Sequence, residues 1–181
     1  MEKLSLLADL YRRPGFLLKR CQQVAAAIFI EECREFNITS SQYSALYVLH
    51  AYPGIDQIAL GRLTGLDRST VGLVIRLLEE RKLIERSANQ RDKRRMQLKL
   101  SAAGEQLLAE VSPAAQRARE RVLAVLPDSM QADLVRLLEA FLEKHDAVID
   151  APAILEGKHR PGRFDFTEAT KALPRPARKN G

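Results

Sequence analysis

The stretch that decides the fold is "DQIALGRLTGLDRSTVGLVIRLLEERKLIER", from Asp56 to Arg86, which contains two helical patterns with a short break between them. Gly65 can end the first helix in a left-handed conformation, and Asp67 can cap the second through its side-chain oxygens. Two helices joined by a tight turn that contains glycine are typical of a helix-turn-helix. The stretch therefore predicts this motif, with the second helix as its recognition helix.

The hydrophobic period changes after this motif. "LIERS" and "MQLKLS" alternate as short strands do, and the polar "ANQRDKRR" separates them. They predict a β-hairpin, or wing, whose tip carries five consecutive charged residues, Arg91–Arg95. Such a run alone is typical of a solvated loop, but its place directly after a helix-turn-helix favours contact with nucleic acid. The predicted fold class is mainly α with a small β-wing, a winged helix-turn-helix.

Long helices are predicted on both sides of this core. Residues Gly15–Phe36 form one mostly apolar pattern, and Thr39 with Gln42 has the spacing of a capping box at the start of the next helix.

Beyond the wing, two more helices are predicted. Ser101 caps a helix that continues to Leu126, and Pro113 is expected to kink or interrupt it. A last amphipathic helix begins at Asp128, with Gln131 at capping-box spacing. We predict a domain over residues 1–150, with a DNA-binding core at about 38–108, and a basic Pro/Gly-containing tail over 151–181 without a core of its own.

The charge distribution indicates a polyanionic partner. The 181-residue chain has a net charge of +6 and a pI near 9.5. From Arg62 to Lys99 there are 11 Lys/Arg against 5 Asp/Glu, so positive charge is concentrated within the predicted motif and wing. Such local concentration is the electrostatic footprint of nucleic-acid binding.

The predicted recognition helix has two different faces. Projection of Asp67–Glu80 onto a helical wheel predicts a core face and an opposite, polar face. The core face has Val71, Val74, Ile75 and Leu78, and the polar face has Arg68, Ser69, Thr70, Gly72, Leu73 and Arg76. Leu73 is the one large apolar residue on the polar face; it packs on a neighbouring element or contacts a thymine methyl group in the major groove.

The wing tip offers a second, positively charged element. Arg side chains are favoured in a narrow minor groove by its focused negative potential. We predict that Arg94, with Arg95 or Lys93 close by, enters the minor groove, and that Asp92 braces the hairpin.

The stretch from Ile38 to Leu108 resembles the MarR family of winged helix-turn-helix transcriptional regulators. The most specific marks are "GLDRSTVGLVIRLLEERKLIER" and the wing pattern "RDKRR…LS..G", in which Asp92 and Arg94 match the family's D-x-R. The resemblance implies a homodimer formed by the N- and C-terminal dimerisation helices. It also implies a repressor that binds a pseudo-palindromic double-stranded DNA operator and is released by a small ligand. Twofold symmetry predicts half-sites centred about one helical turn apart.

The N-terminal sequence is similar to MarR members that control aromatic-acid catabolism. This likeness implies an aromatic acid, or its coenzyme A thioester, as effector, with Arg20 or Lys19 as the cation that binds its carboxylate or thioester end. An apolar pocket with a few polar contacts is expected around it. Its candidate lining residues are Phe16, Tyr43, Tyr47 and His50, for each of which a structural role is the alternative.

Peroxide sensing through cysteine oxidation is the alternative function. That branch of the family needs an exposed thiolate of low pKa. Ungapped alignment places its sensor position on Gly15, whereas the cysteines are Cys21 and Cys33, twelve residues apart in one predicted helix. A helical rise of about 1.5 Å per residue separates them by about 18 Å, too far for a disulfide.

Other functional classes have less support. The sequence has no nucleophile-elbow motif, no phosphate-binding Gly loop and no metal-spaced ligand cluster, so neither an enzyme nor a cofactor is predicted. A protein-interaction module built on a winged helix is disfavoured by the basic motif and wing. The longest apolar run, Val24–Ile30, is too short to cross a bilayer, and a cytoplasmic location is expected.

Overall fold

The computed structural model describes residues 7–88 and 96–149, and within them the fold is mainly helical with one two-stranded antiparallel sheet. The predicted fold class is therefore confirmed. The elements in chain order are α1 (Pro14–Glu32), a 3-10 turn (Arg34–Phe36), α2 (Ser40–Ala51), α3 (Gln57–Thr64), α4 (Arg68–Glu80), β1 (Ile84–Ala88), β2 (Met96–Leu100), α5 (Ala102–Leu123) and α6 (Asp128–Ile149).

Helices α3 and α4 form the predicted helix-turn-helix. Gly65 ends α3 with a φ of 68°, a left-handed conformation that costs glycine little. Asp67 caps α4 as predicted. The predicted core face of α4 is buried: Val71, Val74, Ile75 and Leu78 are each at most 5% exposed.

The capping box before α2 is also confirmed. The backbone N–H of Thr39 donates to Gln42 Oε1 at 2.9 Å, and the backbone N–H of Gln42 donates to Thr39 Oγ1 at 3.2 Å. These two bonds satisfy donors that the first turn leaves free, which fixes where α2 begins.

The wing is a hairpin whose base is attached to the helical core. Its strands pair from Ile84 opposite Leu100 to Ala88 opposite Met96. Leu98, in the middle of β2, is buried and also exchanges backbone hydrogen bonds with the α2–α3 connection, through the N–H of Gly54 and the carbonyl of Ile55, both at 2.8 Å.

Helix α1 is shorter than predicted. It ends at Glu32, and Cys33 caps its C-terminus before the 3-10 turn at Arg34–Phe36. Asn37 then adopts a φ of 47°, which ends the turn and redirects the chain into α2. The apolar pattern continues past the end of the helix because Cys33 is fully buried in the core.

Pro113 was expected to kink or interrupt its helix, and of these two alternatives the interruption is wrong. Helix α5 is continuous from Ala102 to Leu123, and it ends three residues before the predicted end. Proline removes one backbone donor, but Val111 and Ala114 on either side of it are buried in the core. Tertiary packing therefore holds the helix together across a residue of poor helix propensity.

Helix α6 begins at Asp128, as predicted. The side-chain hydrogen bonds of Gln131, however, are not those of a capping box. The Gln131 amide donates to the Leu126 carbonyl at 3.0 Å and to the Asp128 carboxylate at 3.3 Å.

Polar side chains join the end of α1 to α5. Glu32 accepts from Arg117 Nε at 3.1 Å and from Arg121 Nη1 at 3.2 Å, while Arg121 Nη2 lies 2.7 Å from Glu31 Oε2. Hydrogen bonds from Arg117 and then Arg121 lower the pKa of Glu32. This network links the C-terminal end of α1 to the second half of α5.

We predict that Gly104→Ala destabilises the protein by about 1–3 kcal/mol or more, because an added methyl group overpacks the site. A Cβ at Gly104 would clash with the backbone carbonyl oxygen of Leu83. Thermal unfolding followed by circular dichroism measures the loss. Gly15→Ala is the matched control, since a Cβ there has no atom within 4 Å. Equal melting temperatures for the two variants would contradict the prediction.

Candidate nucleic-acid interface

The first turn of α4 is organised around the Asp67 carboxylate. Its Oδ1 accepts from the backbone N–H groups of Ser69 and Thr70, both at 2.9 Å. The side-chain hydroxyl of Ser69 also donates to Oδ1, and that of Thr70 donates to Oδ2 at 2.6 Å. These bonds, led by the Ser69 and Thr70 hydroxyls, hold the pKa of Asp67 well below its usual range.

This arrangement limits what the two hydroxyls can do. Each hydroxyl proton is directed at Asp67, so the remaining capacity of Ser69 and Thr70 is to accept hydrogen bonds. On DNA, acceptors match the exocyclic amino groups of adenine and cytosine, which the major groove exposes. Donation to a phosphate requires release of the Asp67 contact.

The outer face of α4 has the residues that the sequence predicts there. Arg68, Leu73 and Arg76 are exposed, and Arg76 Nε lies 3.9 Å from Glu80 Oε1 one turn along the helix. Leu73 is 46% exposed, so packing against the described chain does not account for this large apolar side chain. The face combines two cations and one apolar group, which suits a groove that offers acceptors and methyl groups.

Two ion pairs support the base of the wing. Arg86 Nε lies 3.5 Å from Glu79 Oε1, and this pair joins β1 to the end of α4. Lys99 Nζ lies 2.8 Å from Glu85 Oε2 across the hairpin. The four predicted wing-tip residues, Asp92, Lys93, Arg94 and Arg95, lie outside the described residues. Their roles remain predictions.

Among the predicted effector residues, Tyr43 and Tyr47 are in ring contact with each other. Tyr43 lies between Phe29 and Tyr47, with ring centroids 5.4 Å and 6.0 Å away. Burial raises the pKa of the Tyr43 phenol, and a hydrogen bond with Ser112 partly offsets this. Tyr43 and Tyr47 thus line one aromatic row between α1, α2 and α5.

The other four predicted residues have different surroundings. Phe16 packs edge-on against Tyr11, with ring centroids 5.1 Å apart, and Lys19 is exposed. Arg20 is exposed, and its Nη1 donates to Gln23 Oε1 at 3.3 Å. His50 Nδ1 lies 2.7 Å from Glu105 Oε2, which ties the end of α2 to the start of α5 and favours the structural role for this histidine.

Sequence reasoning missed several of these contacts. Phe29 and Ser112 join the aromatic row from helices distant in sequence, and Glu105 is the partner of His50. Arg81 donates to the carbonyls of Asn37 at 2.6 Å and Phe36 at 3.1 Å. No local sequence pattern predicts these contacts, because only the packing of the helices brings the two partners together.

The cysteines give little support for redox switching. Both are free in the structure, Cys21 exposed and Cys33 buried. Burial raises the pKa of the Cys33 thiol, whereas a reactive sensor needs a lowered pKa. Within residues 7–88 and 96–149 no cluster of side chains suits a metal ion, and no helix there has the length and apolar character needed to cross a membrane.

The fold and this site define a winged helix-turn-helix DNA-binding protein. Residues 38–96 match the model of the MarR family. A relative from Thauera aromatica, a "putative transcriptional regulatory protein for hcr operon", is 33% identical over 126 residues, which are 69% of this chain and 76% of that protein. The chain belongs to the MarR family. It is accordingly a DNA-binding transcriptional regulator and not an enzyme.

Two solved structures are similar over most of their length. The PcaV regulator of Streptomyces coelicolor, in complex with its natural ligand, is 31% identical with a TM-score of 0.65, over 74% of this chain and 94% of that one. BpsR of Bordetella bronchiseptica, whose DNA binding is regulated by 6-hydroxynicotinic acid, is 27% identical with a TM-score of 0.67, over 72% and 93%.

We predict that Asp67→Asn lowers the stability of the protein at neutral pH, because the amide cannot accept from all four donors as a carboxylate does. The folded-state pKa of Asp67 is depressed, so its contribution is complete above the ordinary value of 3.8 and is lost as the pH falls below it. Urea unfolding of wild type and variant should show a gap at pH 7 that narrows below pH 4. A gap independent of pH would contradict the assignment.

Proposed function

We propose that this chain is a homodimeric repressor released from its operator by an aromatic acid or the coenzyme A thioester of one. The observation that carries the proposal is the outer face of α4, where Arg68, Leu73 and Arg76 project from a helix whose other face is buried. In this proposal the face enters the major groove, with Ser69 and Thr70 as hydrogen-bond acceptors. The wing tip, led by Arg94, enters the adjacent minor groove.

Exposed apolar side chains on the first and last helices support a dimer. Helix α6 makes at most sparse contact with the other described elements, and several of its large apolar side chains are exposed. The exposed apolar residues on the two helices are Leu17, Leu18, Val24 and Ile30 on α1 and Met130, Val135, Leu137, Leu138, Phe141 and Leu142 on α6. Apolar surface of this extent is typical of an interface, here with a second copy.

The effector is proposed from similarity and from the aromatic row. BpsR responds to an aromatic acid and PcaV has a natural ligand, and both are more than 25% identical to this chain. Tyr43 and Tyr47 offer rings at the junction of three helices, and the exposed Arg20 offers a cation for a carboxylate. The division into a domain at 1–150 and a basic tail at 151–181 belongs to the same proposal.

We expect Arg94→Ala to weaken operator binding at least tenfold, because an arginine in a narrow minor groove contributes electrostatic attraction that alanine lacks. The probe is a duplex selected by the wild-type protein from random-sequence DNA, and fluorescence anisotropy measures affinity.

Arg12→Ala is the control, since Arg12 is an exposed arginine far along the chain from the motif. Sedimentation and thermal unfolding should report an unchanged dimer and fold for both variants. Wild-type affinity in the Arg94 variant would refute the wing assignment.

We expect Arg20→Ala to bind the operator normally but to need at least tenfold more effector for release, because it removes the proposed anchor for the carboxylate. Release from the operator is measured by fluorescence anisotropy with a panel of aromatic acids, their coenzyme A thioesters and peroxide. Lys19→Ala is measured in parallel, because Lys19 is the alternative cation for the same role. Release of the Arg20 and Lys19 variants at the wild-type effector concentration would place the anchor elsewhere. Release by peroxide alone would replace this proposal with redox sensing.

A further inference from the structure

The outer face of α4 has a gap in its side chains. Arg68, Gly72 and Arg76 are spaced four residues apart, so they lie nearly one above another along the helix. The two arginines are exposed, and Gly72 between them has no side chain. This row of three positions on α4 therefore has only two side chains, those of the arginines.

The side chain of Gln57 occupies the neighbourhood of this gap. A Cβ built on Gly72 would lie 3.4 Å from Gln57 Nε2, and no other atom outside the helix comes that close. Gln57 is the first residue of α3, where the Asp56 side chain caps the helix by accepting from the Ala59 N–H at 2.9 Å. The capped first turn thus holds the glutamine beside α4.

The Gln57 amide has hydrogen-bonding capacity left over. It is half-buried, and it makes no side-chain hydrogen bond with any residue among 7–88 and 96–149. A half-buried amide that lacks a protein partner loses little by turning to an external one. Between two arginines on the outside of the motif, the external partner with matching chemistry is a phosphate oxygen, which accepts what the amide donates.

We propose that Gln57 is an operator-contacting residue, whose amide crosses the gap at Gly72 and donates a hydrogen bond to a DNA phosphate at the edge of the major groove. In a helix-turn-helix the first helix crosses the backbone while the second lies in the groove, which places the start of α3 at the phosphates. The inference rests on the proposed function, because it needs α4 to enter the major groove.

Three variants test this contact: Gln57→Ala, Gly72→Ala and the double variant, on the duplex selected by the wild-type protein. We expect Gln57→Ala to lose about tenfold in affinity, the typical scale for a hydrogen bond to a charged group. The same factor is expected on duplexes with single base-pair changes, since phosphate contacts carry no sequence information. The slope of affinity against salt should stay as in wild type, because neutral glutamine releases no counterion.

Gly72→Ala separates this contact from simple crowding. Its methyl group would touch Gln57 Nε2 and fill the gap that the amide has to cross, so binding should weaken. The melting temperature should stay equal or rise, because alanine favours the helix. In the Gln57→Ala background the same methyl group should have no further effect. If Gly72→Ala weakens binding equally in both backgrounds, its methyl group meets DNA directly and the inference is overturned.

Two controls separate this inference from the function it rests on. Gln106→Ala removes an exposed glutamine on α5 that donates to Glu110, and wild-type affinity is expected. Arg68→Ala should weaken binding. If Arg68→Ala and Gln57→Ala both bind as wild type, the groove-facing role of α4 fails; if only Gln57→Ala does, the inference alone is refuted.

Discussion

The structure depends on one close backbone approach, where the start of α5 meets the end of the recognition helix. The Leu83 carbonyl accepts from the Ser101 N–H at 3.0 Å, and the Ser101 hydroxyl donates to the Lys82 carbonyl at 2.7 Å. Gly104 has no Cβ, and only this absence lets α5 lie against Leu83. Lys82 adopts a φ of 56° to make the turn. The recognition helix, both wing strands and the long helix α5 are therefore joined at one point.

This junction connects the recognition helix and the wing to the same part of the core. Leu98 anchors the wing to the α2–α3 connection, and the Arg86–Glu79 pair anchors it to α4. These contacts therefore join α5, α4 and the wing to one another. The aromatic row, which is the proposed site of the effector, touches α1, α2 and α5, and α5 is the helix that this junction joins to α4.

Most of the fold was predictable because its signals are local. The capping box at Thr39, the cap at Asp67 and the glycine at Gly65 each act through backbone groups within four residues. The two faces of α4 follow from its period alone. The predicted interruption at Pro113 was wrong because burial of its neighbours outweighed the local propensity. The end of α1 was misplaced because burial of Cys33 extended the apolar pattern past the helix.

The candidate site was predictable only where one element supplies it. The sequence by itself determined the fold class, the helix-turn-helix and wing, and the outward face of α4, since caps and periodicity are properties of contiguous residues. Only the tertiary structure decided that Gln57 lies over Gly72, that His50 pairs with Glu105 and that Phe29 joins the tyrosines. Those contacts join residues distant in sequence, and the packing of helices, which no local pattern encodes, brings them together.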